Sequence, residues 1–321
     1  MELFKIESED HLQVQVYSWV PEKPVVILQI AHGMMEHALR YDHVARWMNE
    51  HRIAVYASDH IGHGLTAKTS SDLGHFPRED DWQRSVEILH ILTQKIRAEH
   101  PGIPVFLLGH SMGSVLAQTY MMKHGREADG FILSGAVRQS TFMANIGLII
   151  AGTLSFFFGP ADCSKLLIFL GYGQYNNRLR PKRTAFDWLC SEESIVDEYI
   201  SSPLCGFPCS NRFYQNFFYG FKYISKLDNL KQIPAGTPVY IFAGRMDPAG
   251  KFGKDPQKIN YLLSKFSRAQ VLMKLYSNGR HEMLNEMNRE EVYGDLVEWI
   301  KERISLQSAV NSQQLKLETR N

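Results

Sequence analysis

Four cysteines in 321 residues are too few for a disulfide scaffold. Cys163, Cys190, Cys205 and Cys209 fall in one stretch with no paired C-x-x-C and no histidine beside them. That is a poor zinc pattern, so free buried thiols are the expectation. An excess of charge of one sign is also missing: 35 Lys and Arg stand against 34 Asp and Glu, a formal net charge of +1. Without a basic footprint, nucleic acid is excluded as a partner. No internal repeat or low-complexity tract appears, which excludes solenoids. The opening MELFKIESEDHLQVQVYSWVPEKP carries charges every few residues and no apolar core of a secretory signal, so a cytoplasmic location is expected, peripheral to the membrane at most. The most apolar run is FMANIGLIIAGTLSFFF, Phe142 to Phe158, uncharged between Arg138 and Asp162. It falls short of the ~20 apolar residues that span a bilayer and reads instead as a cap helix, either buried as a roof over a pocket or facing lipid.

What is present is the balance of a globular chain, 44% hydrophobic and 21% charged, long enough for one large α/β domain with an insertion. Short β-branched runs alternate with helical periodicity, the pattern of βα units around a mostly parallel sheet. Strands are expected at Val25–Ala31, Ile53–Ser58, Val105–Leu108, Phe131–Ser134, Val239–Ala243 and Val271–Tyr276, after an edge hairpin of Leu3–Glu7 and Leu12–Tyr17. Apolar stripes at i, i+3, i+4 predict helices over Tyr41–Glu50, Asp80–Glu99, Met112–His124, Pro256–Phe266 and Arg289–Ile304. The alternation breaks between Ala136 and Ile233, a stretch rich in Phe, Tyr and Leu. The organisation that follows is an α/β core, 1–136 and 234–306, with a helical cap, 137–233, inserted after the sixth strand, and a polar tail, 307–321, expected to fray.

Gly109-His110-Ser111-Met112-Gly113 lies directly after the strand VFLL and directly before a helix pattern. This is G-x-S-x-G in the strand–turn–helix context that exposes a nucleophilic serine. A serine hydroxyl needs an imidazole base, and the imidazole an orienting carboxylate. Of thirteen histidines, only His281 follows His124, so the base is His281; His90 and His100 are expected on solvent-facing helix surfaces or ends. The acid should leave the strand before it, and VYIFA runs into Gly244-Arg245-Met246-Asp247-Pro248. Asp247 fits, whereas Asp228 and Asp255 are expected in solvated or capping roles. An oxyanion hole needs two backbone N–H groups: one from Met112, after the nucleophile, and one from Met34, in the loop Ala31-His32-Gly33-Met34-Met35-Glu36-His37 that ends an early strand. Asp59, His60 and His63 have a weak metal-ligand spacing, and no metal is expected there. The cap cations Arg180, Lys182 and Arg183 read as a solvated face.

Five blocks in order, HGMMEH with Arg40-Tyr41, Asp59-His60-Ile61-Gly62-His63-Gly64, the Ser111 pentapeptide, Met246-Asp247-Pro248 and Gly279-Arg280-His281-Glu282, resemble the monoacylglycerol lipase and lysophospholipase branch of the α/β-hydrolases. The resemblance covers about residues 20–305, and Ser202-Pro203-Leu204-Cys205-Gly206-Phe207 is similar to bacterial members. It implies an α/β-hydrolase fold, a triad of Ser111, Asp247 and His281, oxyanion donors Met34 and Met112, no cofactor, and an acyl-ester or lipid substrate under a mobile lid. Ile61 departs from the pattern, since many members carry Arg there.

The expectation is therefore a serine hydrolase of single-chain lipid esters, monoacylglycerol or lysophospholipid, with transient membrane-surface contact through the cap. Met34, Met112, Met246 and Met283 suit a flexible acyl chain. Two alternatives stand beside it: an aminopeptidase of the same fold, holding a substrate amine with Glu192, Glu193, Asp197 or Glu198, and a catalytically silent binding module.

Overall fold

The computed structural model describes residues 1–180 and 182–318, with side chains as far as Leu306. Eight strands form one sheet in the order β1-β2-β4-β3-β5-β6-β7-β8. They are β1 (Glu2–Glu7), β2 (Gln13–Trp19), β3 (Val26–Ala31), β4 (Ile53–Ser58), β5 (Val105–His110), β6 (Gly130–Ser134), β7 (Pro238–Gly244) and β8 (Gln270–Tyr276). The β1–β2 and β2–β4 pairs are antiparallel and every pair from β4 to β8 is parallel. Each of the six parallel strands is where β-branched and apolar runs predict one, to within two residues at either end.

Burial on both faces explains why those runs are continuously apolar. Ile27, Ala54 and Leu107 face a layer built with α2 (Asp81–Glu99) and α3 (Met112–His124). Leu28, Val55 and Leu108 face the opposite layer, with α1 (Asp42–Glu50) and α10 (Arg289–Glu318).

The chain between β6 and β7 adds α4 (Thr141–Phe158), α5 (Lys165–Ile168), α6 (Glu193–Ser201), α7 (Asn211–Ile224) and α8 (Leu227–Leu230); α9 (Lys254–Leu262) follows β7. The helix predicted at Pro256–Phe266 thus starts earlier and ends in a π turn, Leu263–Ser267. The last helix continues past Ile304 to Glu318; residues 319–321, and the side chains of the tail 307–321, lie outside the described residues.

The insertion is anchored to the core through α7. Asn216 Oδ1 accepts from the Trp82 N–H at 2.9 Å, and Gly220 packs so closely on the Trp82 ring that a Cβ would sit 2.4 Å from it. On the other side of α7, Phe218 fills the notch at Gly147 of α4. The cysteines Cys163, Cys190, Cys205 and Cys209 are free thiols, the last three buried, as expected.

α4 is long and apolar enough to cross a membrane by length and composition. Its small residues Ala144, Gly147, Ala151 and Ser155 face inward with Ile150 and Leu154 packed beside them, whereas Phe142, Ile149, Phe156, Phe157 and Phe158 face out and are 68–82% exposed. Both its flanks return to neighbouring strands of one sheet, a geometry that places the helix across the cap.

Candidate active site

The residues singled out in the sequence come from loops at the carboxyl ends of β3, β5, β7 and β8, the edge of a parallel sheet where ligands bind. Ser111 sits between β5 and α3 with φ 52° and ψ −115°. A non-glycine residue held there costs about 1–3 kcal/mol and persists only where the surroundings over-determine it. The flanking glycines make that turn possible: a Cβ at Gly109 would lie 2.1 Å from the Gly113 carbonyl oxygen, and one at Gly113 only 2.0 Å from that of Ala31.

His281 and Asp247 are 1% and 0% exposed, and His281 Nδ1 donates to Asp247 Oδ2 at 3.0 Å. That bond orients the imidazole with Nε2 free. The Asp247 carboxylate also accepts from the Ala249 N–H at 2.8 Å. Burial by itself would lower the His281 pKa, but the Asp247 carboxylate, aided by Glu282 and Glu36, outweighs it and holds the group above its ordinary 6.5. The neighbouring ring of His110, 4.8 Å away between centroids, is driven by burial down to about 3 and stays neutral.

The early loop supplies Gly33, whose Cβ would be 3.4 Å from that of Ser111, and next to it Met34. Among the described residues the N–H groups of Met34 and Met112 donate to no chain atom. Met34, Ser111 and His281 line one chamber. Two donors beside a serine in a water-poor site are what a developing oxyanion requires.

The rest of the chamber is built neither from α4 nor from Met112, Met246 or Met283. No α4 residue lines it; the wall is aromatic, from Tyr175, Trp188, Tyr199, Tyr214, Phe217 and Phe221. Met112 and Met283 are fully buried and Met246 is 42% exposed, so of the four methionines only Met34 reaches the cavity. Asp255 is buried, not solvated, and is held by Lys251 Nζ and the Arg138 N–H. His90 and His100 are half-buried against the hydroxyls of Tyr120 and Tyr56, not solvent-facing. His60 and His63 hold backbone: Met35 N–H donates to His63 Nε2 at 3.3 Å, and His60 Nε2 donates to the His32 carbonyl at 3.1 Å.

A buried ion cluster under the chamber was not anticipated. Arg40 reaches Glu36 at 2.8 Å and grips Glu282 with two bonds of 2.7 and 2.8 Å. Glu36 in turn accepts from the Gly33 N–H at 2.5 Å and from the Tyr41 hydroxyl at 3.0 Å. The cluster ties the Met34 loop to the His281 loop. Burial would raise the Glu282 carboxyl, but Arg40 overrides it and holds the group down at about 2. The cap is stitched on as well, with His281 and Glu282 N–H donating to the carbonyls of Trp188 and Leu189. The spacing of these partners along the chain leaves no local pattern; the adjacency of Glu36 and Arg40 at i, i+4 was the one available sign.

The family model for serine aminopeptidase, S33, matches residues 22–288. Over 304 residues the chain is 26% identical to the monoglyceride lipase of Rattus norvegicus, covering 91% of this chain and 88% of that one. It is 35% identical over 118 residues to the monoacylglycerol lipase of Mycolicibacterium smegmatis, a match spanning 36% of this chain and only 40% of that enzyme. A Monkeypox virus monoglyceride lipase homolog is likewise matched over 34% of its length. Among solved structures, a thermostable carboxyl esterase from Bacillus coagulans in complex with glycerol superposes with a TM-score of 0.87 at 28% identity, covering 94% of this chain and 98% of that one. With the family model matched over most of its length and this fold beneath it, the chain belongs to the serine aminopeptidase S33 family and is a monoacylglycerol lipase-like α/β-hydrolase.

Proposed function

We propose that this enzyme, a carboxylic ester hydrolase, cleaves the acyl esters of single-chain lipids, monoacylglycerol or lysophospholipid, through an acyl-enzyme on Ser111. One observation carries the reading: a strained serine, a buried His281–Asp247 pair and two unused N–H groups converge on a chamber walled by aromatic rings. His281 Nε2 takes the Ser111 proton as Oγ attacks the ester carbonyl carbon. The N–H groups of Met34 and Met112 stabilise the oxyanion, and Asp247 stabilises the imidazolium that forms. Collapse breaks the ester C–O bond, and His281 gives the proton to the leaving alcohol. Water, deprotonated by the same nitrogen, then releases the fatty acid and restores Ser111.

Residues 137–233 act as a cap over a core of 1–136 and 234–306. The exposed Phe142, Ile149 and Phe156–Phe158 form an apolar face larger than scattered surface residues explain, and we assign it transient contact with a lipid surface. The carboxylates argue against holding a substrate amine: Glu193 and Asp197 pair with Arg183 at the surface, and Glu36 and Glu282 are both engaged by Arg40. The test is labelling by a fluorophosphonate together with hydrolysis of p-nitrophenyl butyrate and 1-oleoylglycerol. Wild type should label and turn over both. Ser111→Ala should abolish labelling and lower kcat/KM roughly ten-thousand-fold or more, with thermal unfolding retained. Near-wild-type activity in pure Ser111→Ala protein would show the nucleophile to be another residue.

A further inference from the structure

Resting on that reading, we infer that Arg138 recognises a phosphate on the alcohol side of the substrate, so that the enzyme prefers a phosphate-bearing lysolipid to a neutral monoacylglycerol. Arg138 follows β6 and lines the chamber together with Gln139. Its side chain is half-buried, yet among the described residues the guanidinium makes no hydrogen bond and no ion pair. The nearest acid is already engaged: Asp255 accepts from Lys251 Nζ at 3.0 Å on each oxygen and from the Arg138 backbone N–H at 3.1 Å. Lys251 also donates to the Arg138 carbonyl at 2.9 Å. Asp255 is thus taken by Lys251 and by the Arg138 backbone, which leaves the Arg138 guanidinium in the chamber lining without a carboxylate of its own. The other arginines near this site are engaged: Arg40 by two glutamates and Arg280 by the carbonyls of Asp187 and Cys190.

A half-buried guanidinium without a partner has lost part of its hydration, and burial lowers the Arg138 pKa more than Asp255 raises it. The cost is recovered when an anion of matching fork geometry arrives, and phosphate is such an anion. A lysolipid carries its phosphate on the alcohol side of the scissile ester, so a phosphate held by a residue of the chamber lining belongs to the leaving group. Gly135, shortly before Arg138, faces the His281 ring, where a Cβ would lie 3.2 Å from Cε1; the leaving alcohol must stand by that imidazole to receive its proton. The chain then enters α4, where Phe142 and Met143 are 72% and 49% exposed. Arg138 thus lies in the chain between a residue packed on His281 and the exposed start of α4, and lines the same chamber as Ser111, His281 and the aromatic wall.

Initial rates on 1-oleoylglycerol, 1-oleoylglycero-3-phosphate and 1-oleoylglycero-3-phosphocholine, in one detergent, test the assignment for wild type, Arg138→Gln and Arg138→Lys. The quantity read is the ratio of kcat/KM on each phosphate substrate to that on 1-oleoylglycerol. Arg138→Gln should lower this ratio roughly tenfold or more, the order expected for one charge-assisted hydrogen bond, with the change in KM, and Arg138→Lys should recover part of it. A fall confined to the phosphomonoester identifies a terminal phosphate as the ligand; a fall on both identifies the phosphodiester headgroup as well. A ratio unmoved by Arg138→Gln overturns the inference. Turnover of p-nitrophenyl butyrate with none of the three lipids overturns the lipid reading beneath it, a different result from an unmoved ratio.

Discussion

Replacing Arg40 by methionine probes the link between the two halves of the site. The Arg40 side chain is 13% exposed, and its partners Glu36 and Glu282 are 4% and 5% exposed. Methionine keeps most of the packing volume but leaves two carboxylates in a poorly solvated place. Breaking a buried pair by removing one partner costs about 3–5 kcal/mol. With an unfolding entropy of about 2.1 cal/mol/K per residue, 321 residues correspond to ~0.7 kcal/mol/K, so Tm should fall by about 4–7 °C at pH 7.5. The deficit should shrink at pH 5.5, because carboxyls that have lost their cation take up protons more readily there. Activity on p-nitrophenyl butyrate should fall roughly 10- to 100-fold, since Glu36 holds the Gly33 N–H beside Met34 and Glu282 adjoins His281. Differential scanning calorimetry at the two pH values, with the ester assay alongside, reads both effects. A Tm within 1 °C of wild type and unchanged kcat would refute the claim that this cluster braces the oxyanion loop against the base loop.

In the proposed mechanism only neutral His281 accepts the Ser111 proton, and Asp247 holds the imidazolium form, so kcat/KM for a neutral ester should rise with pH through an apparent pKa above 6.5; a midpoint below 6 in a pH–rate profile contradicts this. Acid should destabilise the fold well before the carboxylates titrate. His60, His63 and His110 are held by burial at about 3, 4 and 3, so their neutral-form stability is whole above the unfolded value near 6.5 and is lost as pH falls below it. The loss is about 1.4 kcal/mol per group per pH unit, with Asp59, raised by burial to about 6, offsetting one of them; urea unfolding at pH 7.5 and 5.5 measures the difference. Ile149→Glu with Phe157→Lys should weaken binding to phosphatidylcholine vesicles and slow hydrolysis of 1-oleoylglycerol more than that of p-nitrophenyl butyrate; equal losses on both esters would deny the outer face of α4 any contact with lipid.

Much of the fold and of the proposed site was legible because it is local or periodic. A parallel strand buried on both faces announces itself as an unbroken apolar run, as Ile53–Ser58 does, and the Ser111 turn is written in two glycines whose absent side chains leave room for α3 and β3. His281 was identified because no other histidine follows His124, and Asp247 because acids in this topology leave the strand before the base. The remainder depended on contacts that no window along the chain contains. Arg40 and Glu282 stand 242 positions apart, so their pairing follows only from the sheet order that brings the loops after β3 and β8 together. The apolar run from Phe142 to Phe158 has no charge to mark a polar face, and its composition is the same whether it roofs a pocket or faces outward. Packing decided between these: small residues allow α4 to lie close against α7 with Ile150 and Leu154 packed on the core, and Phe142, Ile149 and Phe156–Phe158 are left on the exposed face. Arg138, one ordinary cation among 35 in the sequence, became distinctive only once folding half-buried it in the lining of the chamber that holds His281 and gave the nearby carboxylate to Lys251.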